Sequence, residues 1–392
     1  MKQLVIVGGG FAGLRLARQL RKQKNIHITL INPTGYFRYS PALYRAATGV
    51  KMSVASISLD WALIDNSTTR LLVDTVVSVD DKKKIIKTAS GQSLAYDYAV
   101  FALGSVTTYF GIEGIDTRSF GIKTKQEVDE LKQHIHTTLT DTVKPQNYVV
   151  IGAGATGVEL AGALGTYLKQ VAKKHNIKHS HISIYLVEAG PRILSQMHQK
   201  ASKKAHKQLR KLGVHILTDT QVKAETAHTL KTSNGTINTN NVIWTAGATN
   251  NPFFKDFPHI FPLDKRGKVS VNRRLAVSNS IYVCGDSAST QYSGLAYTAI
   301  KHANFIAKDI KRRLKGKNRP YAVESPAIQV VPAGSSWAAF QYKNIIITGY
   351  ISSLIRKIAD YIGYSDVLGH VKAFTIWRNG ETSDVGCEKC TN

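Results

Sequence analysis

The chain has 392 residues, 43% of them hydrophobic and 20% charged, which is the composition of a globular protein with two or three domains and excludes a disordered or fibrous one. It carries 52 Lys+Arg against 26 Asp+Glu, and this net charge of +26 would attract nucleic acid, anionic lipid or an acidic protein, or would form a solvated basic surface. With only three cysteines, a disulfide framework is excluded and a reducing compartment is expected.

The chain opens on a glycine-rich turn between a predicted strand at 3–7 and a predicted helix at about 11–24. Gly8, Gly10 and Gly13 follow the G-x-G-x-x-G spacing at this junction. The first glycine permits the tight turn, the second lets the backbone approach a pyrophosphate, and the third packs helix against strand. The turn therefore predicts a dinucleotide site at the helix N-terminus.

A second strand is predicted at 27–31, followed by a loop-rich stretch to about residue 70. Asn32 follows this strand at the position where an acid usually bonds the adenosine ribose. Because asparagine also bonds hydroxyl groups, a dinucleotide is still expected. Short strands are predicted next, at 71–77, 84–88 and 97–102.

The same glycine spacing occurs a second time, after a predicted strand at 148–151 and before a predicted helix at 155–174. Here Gly152, Gly154 and Gly157 occupy the three positions. One such pattern is weak evidence, but two in the same strand–helix context predict two dinucleotide sites.

Glu188 directly follows the next predicted strand, at 182–187. An acid there bonds the ribose hydroxyls and repels a 2′-phosphate, which favours NADH over NADPH. Arg192 keeps NADPH open as an alternative, because a nearby arginine can bind the phosphate. A basic helix at 198–214 and strands up to residue 247 complete this unit.

A strand at 280–286 ends in Asp286 and leads into a helix at about 294–314. The second unit is already complete, so the chain is expected to return to the first. The prediction is an α/β fold with two Rossmann-like dinucleotide-binding domains, one inserted in the other, plus a small C-terminal region. The expected bounds are 1–115 and 245–325 for the outer domain, 116–244 for the inner domain and 326–392 for the C-terminal region.

These motifs, together with "YSPALYRAATG" at 39–49, "FALGS", "VEAGPRIL", "IWTAG" and "YVCGDSA", resemble the two-dinucleotide-domain flavoproteins. Within that superfamily they are most similar to the type II NADH dehydrogenases, which are single-chain NADH:quinone oxidoreductases. The resemblance covers most of residues 1–325 and, more weakly, the tail.

The resemblance implies that the N-terminal loop holds FAD and that the inner loop receives NADH. Hydride transfer then requires the two rings to lie face to face, and the insertion of one domain in the other arranges this. The cofactor-binding residues that it implies are Gly8, Gly10, Phe11, Ala12, Gly13, Asn32, Thr48, Val76, Ala102, Gly104, Gly152, Gly154, Thr156, Gly157, Glu188, Ala246, Gly247, Asp286 and Ala296.

Three further residues are candidates for catalysis: Glu159, Tyr297 and Lys301. Glu159 is expected between nicotinamide and flavin, where a carboxylate orients the carboxamide or relays protons, although a buried helix-start acid is an equal interpretation. Quinone-reducing relatives carry A-Q-x-A-x-Q beside the flavin, where this chain has "AYTAIK" at 296–301. Tyr297 can stack on a quinone, and Lys301 can stabilise the negative charge that develops on it. The alternatives for Lys301 are a solvated surface residue and part of a docking site for an acidic protein.

The cysteine positions exclude a redox pair beside the flavin, because none precedes Cys284. Electrons are then expected to pass from FAD to an outside acceptor, with a quinone as the leading expectation. The alternatives are a soluble NAD(P)H-dependent reductase of a ferredoxin-like partner and a flavin-carrying binding protein; nucleic acid is an unlikely partner. Cys387 and Cys390 form half a zinc site at best, so no metal is expected.

The tail decides the expected localisation. In the stretch 345–364, apolar residues recur at helical spacing at Ile347, Ile351, Leu354, Ile355, Ile358 and Ile362, with Arg356 and Lys357 on or beside the polar face. Such a helix lies in a membrane interface, and the positive charge adds attraction to anionic lipid. We therefore expect a peripheral protein on the cytoplasmic side of the cell membrane. A core helix or a homodimer through this region is the alternative.

Overall fold

The computed structural model describes residues 1–49, 51–63, 68–140, 145–177, 182–317 and 326–380. In chain order, the first elements are β1 (Lys2–Val7), α1 (Phe11–Leu20), β2 (Ile26–Asn32), β3 (Tyr36–Arg38), α2 (Leu43–Ala47), β4 (Ser56–Ser58), α3 (Leu59–Leu63), β5 (Thr69–Val73), β6 (Val76–Asp80), β7 (Ile85–Thr88), β8 (Ser93–Ala95), β9 (Tyr98–Phe101), β10 (Ser105–Thr107), α4 (Ile115–Arg118) and α5 (Lys125–Thr140). The next are β11 (Gln146–Ile151), α6 (Ala155–Lys174), β12 (Ile182–Val187), α7 (Gln199–Lys211), β13 (Val214–Leu217), β14 (Val222–Glu225), β15 (Thr229–Thr232), β16 (Gly235–Asn238) and β17 (Asn241–Trp244). The last are β18 (Ala248–Asn250), α8 (Phe253–Asp256), β19 (Ile281–Val283), α9 (Ala296–Arg313), β20 (Gln329–Pro332), β21 (Ala338–Tyr342), β22 (Ile345–Gly349), α10 (Tyr350–Leu368) and α11 (His370–Asn379).

Two parallel sheets form the centre of the fold. The outer sheet has the strand order β19-β9-β1-β2-β5, and the inner sheet has the order β13-β12-β11-β17. The apolar residues of β1, β9, β11 and β17 are buried because helices and loops cover both faces, as parallel sheets require. The predicted doubly wound α/β architecture is therefore confirmed.

The return of the chain to the outer sheet is visible in the pairing of β19 with β9, where Ile281 lies opposite Ala99. The two chain passages between the sheets also pair with each other: β10 and β18 form an antiparallel ladder in which Val106 lies opposite Thr249. The inner sheet is thus inserted in the outer unit, as predicted.

A third, C-terminal sheet has the order β20-β21-β22 and contacts α6, α7 and α10. At Gly162, a side chain would overlap the backbone of Ala333 and Gly334, since a Cβ at this position would lie 2.6 Å from the Gly334 nitrogen. The absence of a side chain there lets α6 lie directly against this C-terminal region.

Several predicted bounds are corrected by the structure. The predicted strand at 71–77 is two strands, β5 and β6, separated at Asp74 and Thr75, which belong to a turn stabilised by the Asp74 carboxylate. The stretch 345–364 is not one helix, because residues 345–349 form β22 before α10 begins. Among the described residues, no helix is long and apolar enough to cross a membrane.

Glu225, at the end of β14, is a buried carboxylic acid with one oxygen lacking a hydrogen-bond partner. Burial raises its pKa to about 7, and Arg118 acts against this shift. The folded chain therefore holds the proton up to about pH 7, whereas an unfolded glutamate releases it near pH ~4.3. The folded state consequently loses stability as the pH rises between these two values, by about 1.4 kcal/mol per pH unit.

We expect Glu225→Gln to remove this loss. Relative to wild type, its free energy of unfolding should rise by about 2 kcal/mol from pH ~5 to ~7 and then level off, measured by urea unfolding. Glu113→Gln is the matched control, because Glu113 is exposed beside the same strand. Parallel pH profiles for wild type and Glu225→Gln would contradict the prediction.

Candidate functional site

The first glycine loop is shaped to hold a phosphate group. Gly8 has φ +108, and a Cβ there would lie 2.4 Å from the carbonyl oxygen of Ala102, while a Cβ on Gly13 would lie 1.9 Å from that of Gly8. Gly10, by contrast, has nothing within 4 Å of the place a Cβ would take, and it precedes α1 without a side-chain cap. The helix N-terminus is therefore open, and its N–H groups fit a pyrophosphate.

The second loop repeats this geometry in the inner unit. Gly152 has φ +95, and a Cβ there would lie 2.8 Å from the Ala246 side chain, while a Cβ on Gly157 would lie 1.8 Å from the Gly152 oxygen. Gly154 is open and precedes α6, again without a side-chain cap. Thr156 is exposed in the first turn of that helix.

In each unit, the residue at the end of the second strand holds the glycine loop by the same kind of hydrogen bond: Asn32 is the last residue of β2, and Glu188 directly follows β12. Asn32 Oδ1 accepts a hydrogen bond from the Gly9 amide at 2.8 Å, and Glu188 Oε2 accepts one from the Ala153 amide at 2.7 Å. The amide group of Asn32 therefore replaces the acid that the pattern usually has. Both units fit a dinucleotide, but only the inner one offers a carboxylate to a ribose.

Glu188 lines a cleft of about 490 Å³ beside the inner loop. Arg192 is not available to a 2′-phosphate there, because its guanidinium donates to the carbonyls of Leu194, Met197 and Ser195. Several residues of the cleft wall were not predicted: Phe110, Ile112, Gln221 and Val222, which lie in no motif, and Trp244 and Thr245, which lie within "IWTAG". The predicted Ala246 and Gly247 also line it.

Asp286 lies in a turn beside the outer loop. Its carboxylate accepts hydrogen bonds from the Ser105 hydroxyl at 3.2 Å and the Gly294 amide at 3.1 Å. Gly285, with φ +69, donates its amide to Nδ1 of the fully buried His302 at 3.2 Å. His302 was missed by sequence analysis, because a helix-interior histidine has no signature of its own.

The other predicted cofactor-binding residues of the outer unit differ in their burial and in their contacts. Phe11 packs edge-on against Phe37 with ring centroids 5.2 Å apart, and the neighbouring Ala12 is buried. Thr48 donates its hydroxyl to the Tyr44 carbonyl at 2.9 Å, which is the turn-capping arrangement. Val76 is buried at the start of β6.

Ala102 and Gly104 follow β9. The Ala102 carbonyl is the group that crowds Gly8, and the Gly104 carbonyl accepts a hydrogen bond from the Ser287 hydroxyl at 3.0 Å. This brings the end of β9 against the first glycine loop and beside the Asp286 turn.

The start of α9 presents the predicted acceptor-side residues. Ala296 and Tyr297 are partly exposed in its first turn, where no side chain caps the helix. Lys301 is exposed, and its Nζ lies 5.2 Å from the centre of the Tyr297 ring. The lysine and the tyrosine therefore form one cation–π pair.

Glu159 is buried and forms an ion pair with Arg356 of α10, with Oε1 and Nη1 2.8 Å apart. The guanidinium also bonds Asp360 at 3.1 Å and the carbonyls of Val330 and Pro41 at 3.0 and 2.9 Å. Burial raises the pKa of Glu159 to about 7, while Arg356 acts against this shift. Glu159 can thus exchange a proton near neutral pH.

The orientation of α10 is the reverse of what is expected for a surface helix. Arg356 and Asp360 face inward. An apolar stripe faces outward, and its residues are Ile351, Leu354, Ile358 and Ile362, with exposures of 64%, 42%, 58% and 51%. Arg356 thus lies on the polar face of the helix, opposite the apolar residues, and this polar face is turned inward. The sequence signal for this polar face is the i, i+4 spacing of Arg356 and Asp360, which puts both side chains on the same side of the helix.

Comparison with known proteins places this fold in a family. The family model described as "Pyridine nucleotide-disulphide oxidoreductase" matches residues 2–303. The chain belongs to this family. The superfamily predicted from the motifs is therefore confirmed.

The most similar curated relatives include two type II NADH:quinone oxidoreductases of Mycobacterium tuberculosis. One, Ndh, is 26% identical, and the alignment covers 95% of this chain and 87% of the relative. The other, NdhA, is 29% identical over 81% of this chain and 73% of its own length. Among solved structures, NDH2 from Plasmodium falciparum in complex with NADH shares the fold, with a TM-score of 0.86, 17% identity and coverage of 98% of this chain and 99% of that one.

Unlike the disulphide reductases that give the family its name, this oxidoreductase has a single cysteine, Cys284, in the described part of the chain. Its thiol is fully buried, and burial raises its pKa to about 12. A thiol in that state is unsuited to disulfide exchange. Cys387 and Cys390 lie outside the described residues.

Nucleotide preference can be tested at Glu188, whose carboxylate faces the inner cleft of this oxidoreductase. We expect Glu188→Gln to narrow the ratio of kcat/KM for NADH over NADPH by about tenfold, because the repulsion of a 2′-phosphate is lost. Glu130→Gln, on the exposed side of α5, is the matched control and should leave the ratio unchanged. An unchanged ratio in Glu188→Gln, or a wild-type preference for NADPH, would overturn the assignment.

Proposed function

We propose that the chain is an FAD-dependent oxidoreductase that takes hydride from NADH and passes the electrons to a membrane quinone, without pumping protons. The observation that carries the proposal is the open glycine loop that occurs in both nested units, with a carboxylate directly after the second strand of the inner one. Relatives named as NADH:quinone oxidoreductases support the choice of acceptor.

The residues of the outer unit fit FAD. The open N-terminus of α1 after Gly10 would hold the diphosphate, and Asp286 would bond the ribityl or phosphate region. The uncapped start of α9 at Ala296 would direct its unpaired N–H groups at negative charge on the flavin. When bound, FAD supplies the two-electron chemistry that connects NADH to the acceptor.

The residues of the inner unit fit NADH. Gly154 opens α6 to the diphosphate, and Glu188 selects the ribose without a 2′-phosphate. Ala246 and Gly247 would approach the nicotinamide half, since they line the same cleft and Gly247 accepts a hydrogen bond from Lys123 at 3.4 Å. The role of these residues is to orient NADH rather than to react with it.

The quinone would lie between α9 and α10. Tyr297 would stack on its ring, and Lys301, held over the Tyr297 ring, would stabilise the negative charge that develops on a quinone oxygen. Glu159 would supply a proton, because its carboxyl group exchanges one near pH 7.

We further propose that the protein is peripheral on the cytoplasmic side of the membrane. The support for this is the outward apolar stripe of α10, together with exposed Val371 and Phe374 on α11. A homodimer through the same region would bury the same stripe.

The second candidate function, a soluble reductase of an acidic partner protein, is favoured only by the basic surface.

An acceptor screen tests the function. We expect NADH to drive the reduction of a short-chain ubiquinone or menaquinone analogue. Lys301→Ala should lower quinone turnover at least about tenfold, which corresponds to a rise of about 1.4 kcal/mol in the activation free energy. Flavin reduction by NADH, measured by stopped flow, should be unchanged in this variant. Lys308→Ala, exposed two turns along the same helix, is the control. If quinone turnover never exceeds the rate with oxygen, the soluble-reductase function replaces this proposal.

The role of Glu159 is tested by pH dependence. A proton donor with a pKa of about 7 makes quinone reduction fall as the pH rises through that value. We expect Glu159→Gln to be slow and pH-independent, and Arg356→Gln to move the fall to higher pH, because the lost cation no longer favours the carboxylate. A Glu159→Gln profile that keeps the wild-type fall would assign the ionisation to another group.

A further inference from the structure

All the charged side chains on the outer face of helix α7 are cations. Its sequence contains no acidic residue, and the buried side consists of Ala201, Ser202, Ala205 and Leu209. Six basic residues are exposed: Lys200, Lys203, Lys204, Lys207, Arg210 and Lys211.

The spacing of these cations works against the helix. Lys200, Lys203, Lys204, Lys207 and Lys211 stand three or four positions apart, so like charges are neighbours along one face and destabilise it. None of the six forms an ion pair with another residue in the described part of the chain. An anionic surface outside the protein would relieve this repulsion.

The position of α7 connects it to the outward apolar stripe. The helix packs on β21 and β22, and the His198 amide before α7 donates to Gln341 of β21 at 2.7 Å. β22 continues directly into α10, and Ile345, Tyr350 and Ile351 at that junction are exposed. The helix with the cationic face and the helix with the apolar stripe therefore pack on the same C-terminal sheet.

We propose that α7 is the electrostatic docking element of this protein, and that the surface it binds is a bilayer containing anionic phospholipid. Exposed cations and exposed aliphatic side chains, on helices that pack on one sheet, match a lipid surface, which offers both negative headgroups and hydrocarbon. Nucleic acid would match the cations but not the isoleucines. This inference rests on the proposed membrane location but not on the identity of the electron acceptor.

The test uses the full chain with bound flavin and vesicles of phosphatidylcholine, either alone or with about one part in three phosphatidylglycerol. The variant Lys203→Gln/Lys204→Gln/Lys207→Gln removes three α7 cations. The matched control, Lys82→Gln/Lys83→Gln/Lys87→Gln, removes three exposed cations from the β6–β7 region of the outer unit. A third variant, Ile351→Ser/Ile358→Ser, reduces the apolar stripe.

In about 0.1 M salt, we expect the α7 variant to bind phosphatidylglycerol vesicles at least about tenfold more weakly than wild type, with the control close to wild type. The stripe variant should bind both vesicle types more weakly. NADH turnover with a short-chain quinone in the absence of vesicles should be unchanged in the α7 variant, which shows that it is folded.

Equal losses in the α7 and control variants would mean that net charge alone attracts the lipid, and would overturn the proposal. Vesicle binding by the α7 variant at the wild-type level would also overturn the proposal. The same holds if the α7 variant loses binding to a DNA duplex while its binding to lipid is intact. If vesicle binding is as expected but quinone turnover is absent in every variant, the proposed electron acceptor is overturned. The proposal that α7 binds anionic lipid is then retained.

Discussion

The buried guanidinium of Arg356 is the constraint on which the arrangement of the three sheets depends. A charge removed from water is destabilising unless every donor finds a partner, and removing one partner of such a group typically costs about 3–5 kcal/mol. Arg356 finds partners on three other segments, namely Glu159 of α6 and the carbonyls of Pro41 and Val330, and a fourth partner, Asp360, on its own helix. The inner unit, the outer unit and the C-terminal sheet must therefore all be in place before this charge is satisfied.

The same constraint explains why α10 shows its apolar side to the solvent. Once Arg356 and Asp360 are fixed inward, the helical repeat forces Ile351, Leu354, Ile358 and Ile362 outward. Tyr39 reinforces this orientation, since its ring stacks on Tyr364 with centroids 3.9 Å apart and its hydroxyl bonds Asp360. The outward apolar stripe is thus set by the polar network beneath it.

The sequence was informative wherever a local rule had a single solution. Gly8, Gly13, Gly152 and Gly157 occupy positions that a side chain would block, so their spacing predicted both loops. Glu188 was predictable because the end of a parallel strand fixes where its side chain lies. Partners distant in sequence were not predictable: nothing near Glu159 identifies Arg356, 197 positions away, as its counterion. The strand β22 was missed because "IIITG" fits a helix and a strand equally by periodicity.

The pairing of β19 with β9 has a consequence for how the chain acquires its structure. The inner sheet is continuous in sequence from β11 to β17, so all of its strands are available before β19 has been made. The outer sheet cannot be completed until the ribosome has passed Val283, because its edge strand lies beyond the inserted unit. Since domains fold as units during synthesis, the inner unit should form first and the outer unit close around it later. With FAD in the outer unit, as proposed, flavin incorporation is a late event in biogenesis, whatever the order in which the two nucleotides act in turnover.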